Sequence, residues 1–160
     1  MSHELRFERV FDAAPEEVFD ALTDPDGLEE MYGRDEPGWI VEPSEGEVRV
    51  GCTWSVTFGP SREELYRFAQ TYEVVDRPRR IAFTSEQQTS PDGPILEADV
   101  EIMLEGRDGK TLLTLVERGY PSAEERDLHM IGTPHAYDRV ERFIRTRAGG
   151  LTERQDRRPR

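Results

Sequence analysis

Residues 11–25 read "FDAAPEEVFDALTDP". Pro15 and Pro25 each stand where a helix can begin, because the first-turn N–H that proline lacks has no intrahelical partner. Glu16 and Glu17 bring negative charge to the positive end of the first helix. Ala14, Val18, Ala21 and Leu22 share one face, a short amphipathic stripe. Asp24 then offers a side-chain cap, with Pro25 as first residue of a second helix. Leu28, Met31 and Tyr32 are its apolar positions, and Gly33 is placed to end it. The preceding stretch, "LRFERVFD" over residues 5–12, alternates as a strand, with Leu5, Phe7 and Phe11 on a face shared with Arg9. The local prediction is a strand followed by two short helices joined at a tight break.

From Gly38 to Gly119 the period changes to two. "GWIVEP" and "VRVGCTWSVTFG" are predicted strands, the second with Trp54, Val56 and Phe58 on one side. "ELYRFAQTYEVVD" puts Tyr66, Phe68, Gln70, Tyr72 and Val74 together unless a bulge shifts the later positions. "RIAFTSEQ" follows the turn at Arg77-Pro78. "ILEADVEIMLEG" has Leu96, Ala98, Val100, Ile102 and Leu104 on one face and Glu97, Asp99 and Glu101 on the other, as in an antiparallel sheet with one wet face. "GRDGK" is a hairpin signal and "TLLTLVERG" its return strand. At the C-terminal end "PSAEERDLHMI" is a lead-in to a long helix, "GTPHAYDRVERFIRTR". Thr133 is its expected cap, Pro134 its first turn and Gly149-Gly150 its close. Ala136, Val140, Phe143 and Ile144 form its apolar stripe, flanked by Tyr137. A sheet with one apolar face must be covered, and this helix is the element long enough to cover most of it.

A chain of 160 residues is expected to form one domain, over residues 1–150, with a basic, disordered tail over 151–160. The formal net charge of -13 argues against a nucleic-acid partner and against anionic membrane surfaces. The N-terminus lacks an apolar core of signal-peptide length, and no apolar run reaches transmembrane length. With the single cysteine, Cys52, these features predict a soluble cytoplasmic protein. A homodimer is the default assembly. Lys110 is the only lysine among 21 basic residues, a bias that composition does not explain.

"RVFDAAPEEVFDALTDPDGLEEMYG" resembles the N-terminal signature of the START-like (SRPBCC) superfamily, in the branch named for the activator of the heat-shock-protein-90 ATPase. "YEVVDRPRRIAFT", "DGKTLLTLVERGYP" and "HMIGTPHAYDRV" resemble that branch's later blocks in the same order, over about residues 5 to 145. The resemblance implies an α+β helix-grip fold. In it a curved seven-stranded antiparallel sheet wraps a long C-terminal helix around a cavity, and two short helices between strands 1 and 2 close one end. The chain departs from the branch in two places. Met31-Tyr32 stands where many members carry a tryptophan pair, and Gly132-Thr133-Pro134 where they carry Gly-Trp. Both positions lie near the family's cavity, so an altered pocket is implied.

The chemistry-bearing residues are few. Cys52 has no recognisable His or Asn pairing and reads as a buried, inert thiol. No nucleophile elbow or Gly-rich phosphate loop is present. His3, His129 and His135 lack metal-ligand spacing, so neither a metal nor another cofactor is expected. Glu117 shares parity with Leu113 and Leu115. Inward, it would be a carboxylate in an apolar pocket, a candidate catalytic acid or base; the plainer reading puts it at the strand end, in water. Tyr66, Tyr72 and Tyr137 offer hydroxyls, and Trp54 and Phe68 offer rings. Singly each is ordinary core; together with Met31, Tyr32, Phe83 and Leu113 they fit an apolar pocket with a few polar anchors.

Three functions compete. The first is a binding module for a hydrophobic small molecule such as a lipid, polyketide or aromatic compound. The second is an enzyme of the polyketide cyclase or aromatase kind, pairing Glu117 with Tyr137 or His129. The third, suggested by the family's name alone, is a co-chaperone or stress-related interaction role. The acidic face of Glu97, Asp99 and Glu101 reads most simply as a solvated sheet surface, with docking of a basic partner as the alternative.

Overall fold

The computed structural model of the chain describes residues 3–88 and 90–156, and side chains as far as Arg147. Strand β1 (His3–Phe11) leads into helices α1 (Pro15–Thr23) and α2 (Pro25–Met31). Strands β2 (Ile40–Pro43), β3 (Thr53–Ser61), β4 (Glu64–Asp76), β5 (Arg80–Gln88), β6 (Ile95–Arg107) and β7 (Lys110–Tyr120) follow, then helix α3 (Ala123–Asp156). The strands form one antiparallel seven-stranded sheet in the order β1-β7-β6-β5-β4-β3-β2. This is the helix-grip arrangement that the family resemblance implies, with the element order read from the sequence.

The break between the short helices forms as its residues dictate. Asp24 Oδ1 accepts the Asp26 amide at 2.9 Å, capping α2, and its Oδ2 accepts Arg147 of α3 at 2.8 Å. A Cβ on Gly27 would stand 2.0 Å from the Ala21 carbonyl oxygen, so only glycine lets α2 pack this closely on α1. Val18, Phe19 and Leu22 of α1 join Phe11, Val140 and Ile144 in the core at this end. Each such side chain contributes roughly 1.5–3 kcal/mol on burial.

The sheet alternates as expected. Ala98, Val100, Ile102 and Leu104 are buried on one face of β6, while Glu97, Asp99 and Glu105 are exposed on the other. The β6–β7 hairpin turns at Asp108 and Gly109, with φ of 51° and 80°, the left-handed pair that suits a tight hairpin. The β4–β5 register slips between Tyr72 and Val74, so Val75 packs against the core.

Four local expectations are corrected. The strand predicted from Val48 begins at Thr53, because the chain turns first and the Cys52 amide donates to the Arg49 carbonyl at 2.9 Å. Cys52 is only half-buried in that turn. Thr133 and Pro134 do not start a helix; they lie inside α3, which already begins at Ala123. The Thr133 hydroxyl donates back to the His129 carbonyl at 3.1 Å instead of capping. Finally, α3 runs past Gly149-Gly150 to Asp156. Of the predicted tail, residues 157–160 lie outside the described residues.

Candidate functional site

A cavity of about 420 Å³ lies between the sheet and α3. Helices α1 and α2 pack against α3 and, with β1, fill one end of the grip. The other end stays open beneath the first half of α3, where Leu128 and Ile131 line the mouth and are 50% and 68% exposed.

The wall is mainly apolar and aromatic. Ile102 and Leu115 supply aliphatic surface from β6 and β7; Phe58, Phe68 and Phe83 supply rings from β3, β4 and β5. Phe58 is the hub of the ring cluster, 4.9 Å from Tyr32, 5.1 Å from Phe68 and 5.8 Å from Tyr66 between centroids. Trp39 stacks on Phe58 at 6.5 Å, with the Arg139 guanidinium 5.3 Å from its own ring centre. Arg139 is committed elsewhere: it donates to Glu36 Oε1 and to the Met31 carbonyl, each at 3.2 Å.

Two polar groupings interrupt this wall. Gln70, buried on β4, donates from Nε2 to the Tyr32 hydroxyl at 2.8 Å and accepts the Tyr72 hydroxyl on Oε1 at 2.6 Å. On the other side, Tyr120 donates to Glu117 Oε2 at 2.5 Å and accepts from Gln87 Nε2 at 3.0 Å. His129 Nε2, reaching down from α3, lies 3.4 Å from the same Glu117 oxygen. Glu117 is therefore buried, 7% exposed, not at a wet strand end. Burial pushes the Tyr120 hydroxyl pKa well above the ordinary range, and the charge of Glu117 adds to it. The same two causes, in the same order, raise that of Tyr137. Tyr32 and Tyr72 are raised chiefly by burial. These phenols stay protonated; Tyr72 and Tyr120 donate, to Gln70 and Glu117, and Tyr32 accepts from Gln70.

Of the residues singled out from sequence, Met31, Tyr32, Tyr66, Phe68, Phe83, Glu117 and Tyr137 line the cavity. Trp54, Tyr72 and Leu113 do not. They are buried behind the lining, where Trp54 stacks on Tyr32 at 5.8 Å and Tyr72 tilts against Phe83 at 5.5 Å. The sequence reading missed Tyr120, Gln87, Phe58 and Trp39. Tyr120 carried one usable signal: the glycine before it, in a strand, marks a bulge. Among the described residues, no group of three or more His, Cys, Asp or Glu is placed to hold a metal ion. None of their helices is long and apolar enough to cross a membrane.

Solved structures share this architecture. A protein of Chromobacterium violaceum superposes with a TM-score of 0.73 at 21% identity, over 88% of this chain and 96% of that one. Ara h 8.0201 gives 0.70 at 15% identity, over 91% and 99%. DynU16, a protein of the dynemicin biosynthetic locus, gives 0.67 at 22%, over 89% of this chain but 47% of its own. At these identities the likeness shows the fold alone. No curated protein matches the sequence. Residues 12–145 match the family model described as activator of Hsp90 ATPase homolog 1-like protein. With that match spanning most of the chain, and the grip of sheet on helix around it, the protein belongs to the activator of Hsp90 ATPase homolog 1-like family of the START-like (SRPBCC) superfamily.

Proposed function

We propose that this protein binds a hydrophobic small molecule in the cavity between the sheet and α3. The observation that carries this reading is the cavity itself. Its volume of about 420 Å³ suits a small organic ligand, and its wall is aromatic with polar groups gathered in two places. A pocket of that kind gains affinity from buried apolar area and orientation from the few polar contacts. The location of DynU16 in a biosynthetic locus is in keeping with small-molecule handling in this fold. A reducing, cytoplasmic setting goes with the reading, supported by the single unpaired cysteine.

Titration with Nile red, a neutral lipophilic dye, tests the proposal. Saturable one-to-one binding is expected for the natural chain. Leu115→Trp, which puts an indole into the cavity, is expected to abolish it while circular dichroism stays unchanged. Absence of saturable binding, or binding that ignores the filled cavity, would rule the reading out.

A second reading, acid–base catalysis, has one specific observation behind it. Glu117 and His129 stand 3.4 Å apart inside the cavity, so a carboxylate and an imidazole face the same space. Turnover of an aromatic polyketide precursor that vanishes in Glu117→Gln, with the fold retained, is the result this reading requires.

A further inference from the structure

The polar groups of the cavity are unequally employed. Glu117 Oε2 receives Tyr120 and lies beside His129. Glu117 Oε1 accepts no hydrogen bond from the described residues, although the residue is buried and lines the cavity. Gln87 donates from its amide nitrogen to Tyr120 and, at 3.5 Å, to Ser85, and its carbonyl oxygen accepts no hydrogen bond from the described residues. The Tyr137 hydroxyl has no hydrogen-bond partner among the described residues, on a side chain only 2% exposed. Arg139, the one guanidinium among the described lining residues, is held by Glu36 and Met31. Beside Glu117 the unused groups are thus two acceptors, Glu117 Oε1 and the Gln87 carbonyl, and one hydroxyl, Tyr137, that can donate or accept; the formal charge among them is the carboxylate's.

We propose that the occupant of this cavity is a hydrophobic amine, its ring system against Phe68, Phe83 and Tyr137 and its protonated nitrogen on Glu117 Oε1. The assignment rests on the reading of the cavity as a ligand site. An ammonium group supplies the donors that Oε1 and the Gln87 carbonyl lack, and aromatic faces attract a cation through their quadrupole. An anionic ligand would meet Glu117 in a low-dielectric space, where like charges repel strongly. A neutral alcohol would satisfy one acceptor and gain no charge pairing.

Isothermal titration at pH 8 separates these cases with three probes of one shape: 2-naphthylmethylamine, 2-naphthylmethanol and 2-naphthoate. The natural chain is expected to bind the amine at least tenfold tighter than either of the others. In Glu117→Gln, which keeps the shape and removes the charge, that advantage is expected to fall below threefold. An alcohol or carboxylate that binds as tightly as the amine overturns the assignment, as does an advantage that survives in Glu117→Gln. Should that variant fail to fold, the comparison on the natural chain alone still decides. Equal binding of all three leaves the ligand site standing and removes only the amine. Binding of none removes both.

Discussion

Tyr120 donates its hydroxyl hydrogen to Glu117 Oε2 at 2.5 Å although the two stand three residues apart on one strand. In a regular strand that spacing sends side chains to opposite faces. The exception is built at Gly119. Its φ of 124° lies where side chains other than glycine's are strained, and the β1–β7 register slips there, pairing Glu4 with Arg118 but His3 with Tyr120. This is a bulge, and it turns Tyr120 inward beside Glu117. A Cβ at this position would also stand 2.8 Å from the Glu97 carbonyl oxygen.

Gly119→Ala is therefore expected to lower stability by about 1–3 kcal/mol, the usual cost of a residue held in such a conformation. Urea denaturation reads this as a lower midpoint. A change within ~0.5 kcal/mol, the range of an ordinary surface substitution, would mean that the bulge can relax without cost.

The bulge also marks the boundary of what the sequence could reveal. The two short helices, the alternation of β6 and the β6–β7 hairpin were legible because each depends on near neighbours: a cap at Asp24, a period of two, a turn at Asp108-Gly109. Glu117 was legible only as a question of parity. Its burial depends on α3 lying over the strand end, and no local signal carries that. Tyr120 was hidden because one glycine resets the count. Trp39 was hidden because it sits in a loop, placed by Phe58 and Arg139 from distant parts of the chain. Thr133-Pro134 misled in the opposite sense. The pair has the chemistry of a helix start, yet Ser122, whose Oγ accepts the Glu125 amide at 3.1 Å, already starts the helix upstream.

The hydrogen bond from Gln70 to Tyr32 joins the end of α2 to the middle of the sheet inside the core. Tyr32→Phe keeps the ring among Trp54, Phe58 and Phe68 but removes the acceptor for Gln70 Nε2. A buried donor left without a partner costs about 1–3 kcal/mol. The variant is expected to lose that much in equilibrium denaturation with an unchanged m-value. A neutral result would show that the Gln70 amide finds another partner in the cavity.

Pro134 lies within α3, where it cannot donate to the Met130 carbonyl and its ring crowds that group. Alanine at the same position restores the donor and a good helix former. Proline is disfavoured by about 3 kcal/mol relative to alanine in a helix interior, so Pro134→Ala is expected to raise the melting temperature by several degrees. Because Thr133 and Ala136 line the cavity beside it, the same variant is expected to alter Nile red affinity. A lower melting temperature would mean that the packing of α3 depends on the local distortion.

Arg9 connects the first strand to the last helix by donating to both Asp138 and Glu141. For Glu141, burial alone would raise the pKa; the hydrogen bond and charge of Arg9, with Arg145 nearby, outweigh it and hold the carboxyl below its ordinary value of 4.5. The sign follows from linkage. A carboxylate depressed in the folded state adds stability that is fully present above its unfolded pKa and is lost as pH falls through the folded one. Arg9→Ala is expected to cost about 1.5–3 kcal/mol near pH 7, as for hydrogen bonds to charged groups. The gap from the natural chain should narrow as pH drops below about 4.5, and urea midpoints from pH 7 to pH 3 would trace it. Arg77→Ala is the control. Arg77 also depresses a carboxylate, that of Asp20, but both partners are more than half exposed, and solvent screening leaves such a pair little influence on stability. Equal pH profiles for the two variants would refute the role given to Arg9.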